Sequence, residues 1–229
     1  MNPVAVEALV GQIEAKDRLT AAHTWRVVLY ARAMAETAGL DEHEVERITH
    51  AAALHDLGKL DIPDAILQKP GPLDAAEFAI IKTHAARGHE RLTDMGERDA
   101  LVLALVRHHH ERMDGTGYPD GLRGEAIPLA ARHFAVIDAF DAMTSIRPYR
   151  SSVGPEAAQR ALTELAERRG PWYCEASVDM FTTLYRSGTL GWILEYCNDR
   201  CPLPAYQKGS KAVRRASPMV MRQDGVAGV

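Results

Sequence analysis

Apolar residues recur along this chain with the spacing of helices. Over residues 3–16 the positions Val6, Leu9, Val10 and Ile13 form one stripe. A second helix is predicted over 20–38, with Thr20 as N-cap and Gly39 as stop. A third starts at Asp41, where Glu44 completes a capping box, and runs through VERITHAAALHDLG to near Gly58. The stretch DIPDAILQKPGPL holds Pro63, Pro70, Gly71 and Pro72 and reads mostly as loop. Asp74 with Glu77 repeats the capping box and opens a helix through EFAIIKTHAARG, and another spans roughly 97–110. Later helices are predicted over 129–143, with Pro128 in its first turn, and at about 155–169 and 175–187. There is no internal repeat and no sustained strand alternation. The pattern predicts one all-α domain over 1–195 followed by a C-terminal tail over 196–229.

One segment breaks the periodicity. ERMDGTGYPDGLRGEAIP, residues 111–128, holds four glycines and two prolines in eighteen residues, a density that no helix survives. A long loop inside a compact domain is usually functional. Gly115, Gly117 and Gly121 are expected to take positive φ and to bring the backbone close to a ligand or metal.

Composition narrows the class. Of 229 residues, 46% are hydrophobic and 25% charged, which excludes a fibrous or mainly disordered chain. Aromatic content is only 6% while alanine is abundant, which favours packed helices. No apolar run approaches the roughly 20 residues of a membrane span. The N-terminal MNPVAVEALVGQIEAKD lacks the basic region of a signal peptide, and three cysteines, Cys174, Cys197 and Cys201, make no disulfide framework. A cytoplasmic protein is expected. The net charge of −4 argues against binding nucleic-acid polymers. The tail carries Lys208, Lys211, Arg214, Arg215 and Arg222 against Asp224, so the remainder is more acidic still.

All ten histidines lie between His23 and His133. His55 and Asp56 end an apolar helix, where ionisable groups are expensive to bury without a partner. Taken alone this pair reads as an ordinary hydrogen-bonded helix end. His23 lies one helix earlier, His84 one helix later, His109 and His110 end the next helix, and Asp138 sits inside the apolar FAVIDAFDAM. Each successive helix thus offers a nitrogen or carboxylate from an apolar context, a set that suits two divalent transition metals.

The segments His55-Asp56-Leu-Gly-Lys59, His109-His110-Glu111-Arg-Met-Asp114-Gly-Thr-Gly117-Tyr118-Pro119-Asp-Gly121-Leu122 and Ser145-Ile-Arg147-Pro148-Tyr149-Arg150 resemble the HD-GYP subgroup of the HD-domain metal-dependent phosphohydrolases. The likeness covers about residues 17–187. It implies a helical HD bundle with a structured GYP loop, two or three iron or manganese ions, and hydrolysis of cyclic di-GMP or a related cyclic dinucleotide. It implies that His23, His55, Asp56, His84, His109, His110 and Asp138 ligate metal, with Asp56 bridging. Lys59 would reach the scissile phosphate, with Asp56 beside it in the catalytic centre, Tyr118 would contact substrate in the loop of Gly117, and Arg147 and Arg150 would meet the phosphates. Three-metal members place a glutamate four residues before the first histidine. Leu19 stands there and cannot ligate, so two metals are expected. Where members usually carry a Phe-Asp-Pro-like stretch this chain has Pro171-Trp172-Tyr173-Cys174, and no receiver or sensor domain is read ahead of the helices. A homodimer or a diguanylate cyclase is the protein partner the likeness suggests. Alternative readings are another phosphate ester as substrate and a slow-turnover cyclic di-GMP-binding module.

Several residues are set aside. His43, His50 and His89 are expected on solvated helix faces, His108 at the surface or behind the ligands, and His133 off the metal face. Asp141, three residues after Asp138, could face the site, and a cap or salt bridge is preferred for it over metal contact; Glu111 and Asp114 either fix ligand histidines or cap the loop. Cys197 and Cys201 read as two plain thiols.

Overall fold

The computed structural model describes residues 3–16, 18–145 and 155–196. Eleven helices are described: α1 (Pro3–Lys16), α2 (Arg18–Thr37), α3 (Glu42–Leu54), α4 (Asp64–Leu67), α5 (Ala75–Lys82), α6 (His84–Asp94), α7 (Ala100–His108), α8 (Leu129–Thr144), α9 (Pro155–Glu167), α10 (Glu175–Arg186) and α11 (Gly191–Tyr196). Short 3-10 turns cover Leu57–Asp61 and Gly124–Ala126, and no strand is found among the described residues. The all-α expectation holds.

The starts of α3 and α5 are set by the chemistry the sequence announces. Asp41 accepts from the Glu44 amide at 2.8 Å and Glu44 reaches back to the Asp41 amide. Asp74 and Glu77 make the same reciprocal pair. Asp99 caps α7 by accepting from the Leu101 amide at 2.9 Å, and Arg47 of α3 grips the same carboxylate at 2.5 and 2.7 Å. Cap and ion pair together lock α7 onto α3.

Four boundaries differ from the pattern. α2 begins at Arg18, so Thr20 lies inside it and is no cap. α3 ends at Leu54, and Gly58 falls in the 3-10 turn. The helix read as continuous through Thr83 is two helices, with Thr83 closing α5 and opening α6. Apolar residues continue through that joint, although α5 buries none of its side chains fully while α6 buries His84, Ala85, Gly88 and Leu92, so periodicity alone does not show the break. α7 starts at Ala100 rather than near 97.

α2 packs on α3 and α8, α3 on α7, α7 on α6 and α8, and α8 on α9 and α10. At the centre Tyr30 stands edge-on to Phe140 and Phe181, with ring centroids 5.7 and 5.6 Å apart. All three are fully buried, as are Leu54, Leu105 and Phe134 around the inner ends of α3, α7 and α8. Truncating such a side chain costs about 3–5 kcal/mol for an aromatic ring and 2–5 for leucine. These side chains pack α2, α3, α7, α8 and α10 together, and the Phe134 ring lies against His55 and His109, two of the candidate ligands. Among the described residues no helix is long and apolar enough to cross a membrane.

Candidate metal centre

The seven ligands expected from the chain come together. His23 is on α2, His55 and Asp56 follow α3, His84 opens α6, His109 and His110 follow α7, and Asp138 is on α8. His23, His55, Asp56, His84 and His109 are each 8% exposed or less. The ligand atoms gather in overlapping groups: His84, His109 and His110 on one side, and His23, His55 and Asp138 on the other. Asp56 joins His55 and His109 between them.

The backbone fixes how three of the imidazoles point. His55 Nδ1 donates to the Ala52 carbonyl at 2.7 Å, His84 Nδ1 to that of Ile81 at 2.8 Å, and His109 Nδ1 to that of Val106 at 2.9 Å. A carbonyl only accepts, so each Nδ1 carries the hydrogen, and a ring that is neutral presents a bare lone pair at Nε2. His84 and His109 are both pushed below the ordinary histidine range, first by burial. Their Nε2 atoms lie 3.3 Å apart. Two neutral lone pairs at that distance have no hydrogen to share, and a cation is the partner that satisfies both. Nitrogens bound at about 2.1 Å to one cation stand about 3.0–3.4 Å apart in octahedral or tetrahedral geometry. The His23 and His55 Nε2 atoms, 3.2 Å apart, have the same spacing.

Charge points the same way. Burial would raise the Asp56 carboxyl, but the neighbouring His55 and Lys59 outweigh it and hold it well below the usual range. Burial would lower His55, but the facing Asp56 charge outweighs that and raises it, so this position favours positive charge. Asp56 Oδ1 lies 3.5 Å from His84 Nε2, and Oδ2 lies 3.3 Å from His55 Nε2. One carboxylate thus faces both groups of nitrogens. Lys59 Nζ donates to Asp56 Oδ2 at 2.6 Å. His110 is pushed down to about 3, first by burial and then by His84. It is therefore neutral, with Nδ1 3.9 Å from Asp138 Oδ2. The donor set fits divalent metal binding.

His23 is held by a group behind it. Asp141, fully buried, accepts from His23 Nδ1 at 2.8 Å. It also accepts from Arg26 Nε at 2.6 Å and from Arg26 Nη2 at 3.0 Å. Arg26 Nη2 further donates to Ser145 Oγ at 2.7 Å. Asp141 thus has the salt-bridge role expected of it, but its hold on His23 was not foreseen. The signal was legible: a buried arginine three residues after a candidate ligand, in the apolar WRVVLY, needs a carboxylate partner.

The glycine-rich loop carries Tyr118 onto the cluster. The Tyr118 ring stacks on His110 with centroids 4.7 Å apart, and its Tyr118–Pro119 bond is cis. Burial and the charges of Asp138 and Asp56 push the Tyr118 phenol up, which keeps it a neutral donor. Gly115 and Gly121 take φ of +79° and +65°, as expected, but Gly117 does not take a positive φ. Its requirement is space: a Cβ there would overlap the backbone of Glu111 and Arg112. Glu111 accepts from the Asp120 and Leu122 amides at 2.8 and 3.1 Å, and Asp114 accepts from the Thr116 amide at 2.9 Å, so both cap the loop. The Met113 and Asp114 amides donate to the carbonyls of Trp172 and Pro171, and Arg112 and Arg168 guanidiniums lie 3.5 and 3.7 Å from the Trp172 ring centre. The unusual Pro171-Trp172 segment is therefore the seat of the loop, a role the chain pattern did not reveal.

The residues set aside fall largely as expected. His43 is exposed, and His50 and His89 are half-buried. His133 bonds Ser177 Oγ at 2.9 Å, away from the cluster. His108, Glu111 and Asp120 form a separate group, but its carboxylates are taken by the loop amides and by Arg107. Arg147, Arg150, Cys197 and Cys201 lie outside the described residues, as does the Leu19 side chain.

Comparison with known proteins matches this architecture. The sequence profile of the HD domain family matches residues 8–176. The chain is 46% identical over 172 residues to the cyclic di-GMP phosphodiesterase response regulator RpfG of Xanthomonas campestris, covering 75% of this chain and 45% of that protein. It is 41% identical over 163 residues to 3'3'-cGAMP-specific phosphodiesterase 2 of Vibrio cholerae, covering 71% of this chain and 31% of that protein. The chain thus spans less than half the length of these curated relatives. Among solved structures, Bd1817, an HD-GYP-type protein from Bdellovibrio bacteriovorus, superposes with a TM-score of 0.58 at 20% identity, covering 80% of this chain and 61% of that one.

Proposed function

Because this chain belongs to the HD-domain family, we propose that it is a metal-dependent phosphodiesterase of the HD-GYP subgroup that hydrolyses cyclic di-GMP to linear pGpG, with GMP as a further product. The observation that carries this reading is the pair of neutral lone pairs on His84 and His109, 3.3 Å apart, joined through Asp56 to a second group on His23, His55 and Asp138. Two such groups call for two cations, with iron or manganese suited to a set of five imidazoles and two carboxylates.

When bound, the two cations supply the Lewis acidity that acidifies a water and neutralises phosphate oxygens. This chain's own residues do the rest. His55, His84 and His109 are aimed by their own helix ends, so the site is built before substrate arrives. Asp56 faces both nitrogen groups, where its carboxylate would offset part of the cations' charge. Lys59, anchored on Asp56 and 22% exposed, offers an ammonium to the phosphate oxygens or the departing ribose 3′ oxygen. Neutral Tyr118 offers its hydroxyl at the rim. Arg147 and Arg150 are assigned to the phosphates by resemblance. The local positive site accounts for anion binding by a chain of net charge −4. Residues 1–195 form the catalytic domain on this reading, and a cyclic dinucleotide substrate and a chain with only three cysteines suit the cytoplasm.

Manganese- or iron-loaded protein under anaerobic conditions is expected to convert cyclic di-GMP to pGpG, followed by chromatography, with activity lost to chelator and restored by metal. No linear product under either metal would overturn the proposal. The hybrid 3'3'-cGAMP is a second substrate reading, favoured by the 41% identity to a phosphodiesterase named for it, and a competition assay with both dinucleotides separates the two.

A further inference from the structure

Four lysines fall among the described residues, and three are committed to carboxylates: Lys16 to Asp64, Lys59 to Asp56 and Lys69 to Glu77. Lys82 pairs with no carboxylate among the described residues. It lies two residues before the ligand His84, and its Nζ sits 5.5 Å from the ring centre of Tyr118 and 4.8 Å from that of Phe78. Tyr118 in turn stacks on His110. A half-buried ammonium is thus carried at the edge of the metal centre by two rings.

The surroundings argue against a purely structural role. α5 buries none of its side chains fully, and Phe78 is 47% exposed. The Lys82–Phe78 contact therefore closes no core. It holds a compact point charge, which suits phosphate without demanding a particular approach angle.

We infer that Lys82 is a further substrate-binding residue, engaging the second, non-scissile phosphate of the cyclic dinucleotide from its perch between Phe78 and Tyr118. This rests on the phosphodiesterase reading above. Such a substrate carries two phosphodiesters in one ring. When one lies over the cation groups beside Lys59, the other reaches past Tyr118 toward the rim, where Lys82 waits. A simple phosphodiester with one phosphate has nothing to place there.

The test compares wild type, Lys82→Met and Lys82→Arg as full-length, manganese-loaded protein. Calorimetry measures cyclic di-GMP affinity, and turnover is measured on cyclic di-GMP and on bis(p-nitrophenyl) phosphate. Lys82→Met is expected to weaken cyclic di-GMP binding by about tenfold, the size of one charge-assisted contact. Lys82→Arg is expected to restore most of it, and the difference should shrink in about 0.5 M salt. The ratio of activity on the dinucleotide to activity on the simple ester should fall by a similar factor. Unchanged affinity in Lys82→Met, or equal loss on both esters, would overturn the inference. If wild type binds cyclic di-GMP but releases no product, the hydrolase reading fails while the affinity comparison still decides the role of Lys82.

Discussion

Asp141 offers the sharpest perturbation of the centre's support. It is fully buried, it holds His23 Nδ1 at 2.8 Å, and it receives two contacts of 2.6 and 3.0 Å from Arg26, itself 1% exposed. Asp141→Ala leaves the guanidinium in the interior without this carboxylate, which costs about 3–5 kcal/mol. For a chain of this size each kcal/mol moves Tm by about 2–4 °C, so a fall of about 6–20 °C is expected by thermal melting of chelator-treated protein. The double variant Arg26→Met, Asp141→Leu removes both charges and should recover most of that loss. Asp141→Asn keeps the shape but weakens the hold on His23. It should reduce manganese affinity by about 10–100-fold in a chelator competition while the protein stays folded. An Asp141→Ala protein melting within about 2 °C of wild type, or an Asp141→Asn protein with wild-type metal affinity, would refute the reasoning.

Other expectations follow from single contacts. Gly117→Ala would drive a Cβ into the backbone of Glu111 and Arg112, so the loop must shift and the Tyr118–His110 stack is expected to break. Turnover should fall at least about tenfold while Tm changes little, and wild-type turnover would contradict the close approach. His84→Ala and His109→Ala should each remove cations from one group, read as lower metal content by mass spectrometry; full content in either would place the site elsewhere. Asp99→Ala loses the α7 cap and the Arg47 pair and should destabilise by about 1–2 kcal/mol. Asp99 is held below the ordinary carboxylate range, first by the Arg47 hydrogen bond, so its contribution is present above about pH 3.9 and is lost as pH falls through its depressed value. The stability gap between wild type and Asp99→Ala should be constant from about pH 8 to 5 and close below about pH 4; a gap that closes near neutrality would contradict it.

What could be read from the chain was what local chemistry dictates. The Asp41 and Asp74 capping boxes announce their helices because the reciprocal bonds need only residues three apart. The seven positions that meet in the cluster were legible because an ionisable group in an apolar helix needs a partner. The joint at Thr83 was not legible, since apolar spacing continues across it. Nor was the seat of the loop, because Arg112, Arg168 and Trp172 meet only after α8 and α9 have returned the chain to α7. Gly117 shows the limit from the other side. Its glycine was expected to serve a positive φ, whereas the need is room against Glu111, a matter of tertiary approach.

On the proposed reading, water activated at the cluster attacks phosphorus in a cyclic dinucleotide. Turnover of cyclic di-GMP by metal-loaded protein in water enriched in oxygen-18, with the product read by mass spectrometry, tests it most directly. The expected product is pGpG carrying one heavy oxygen on its new 5′-phosphate. Unlabelled product, or intact cyclic di-GMP at the end of the incubation, would contradict the account.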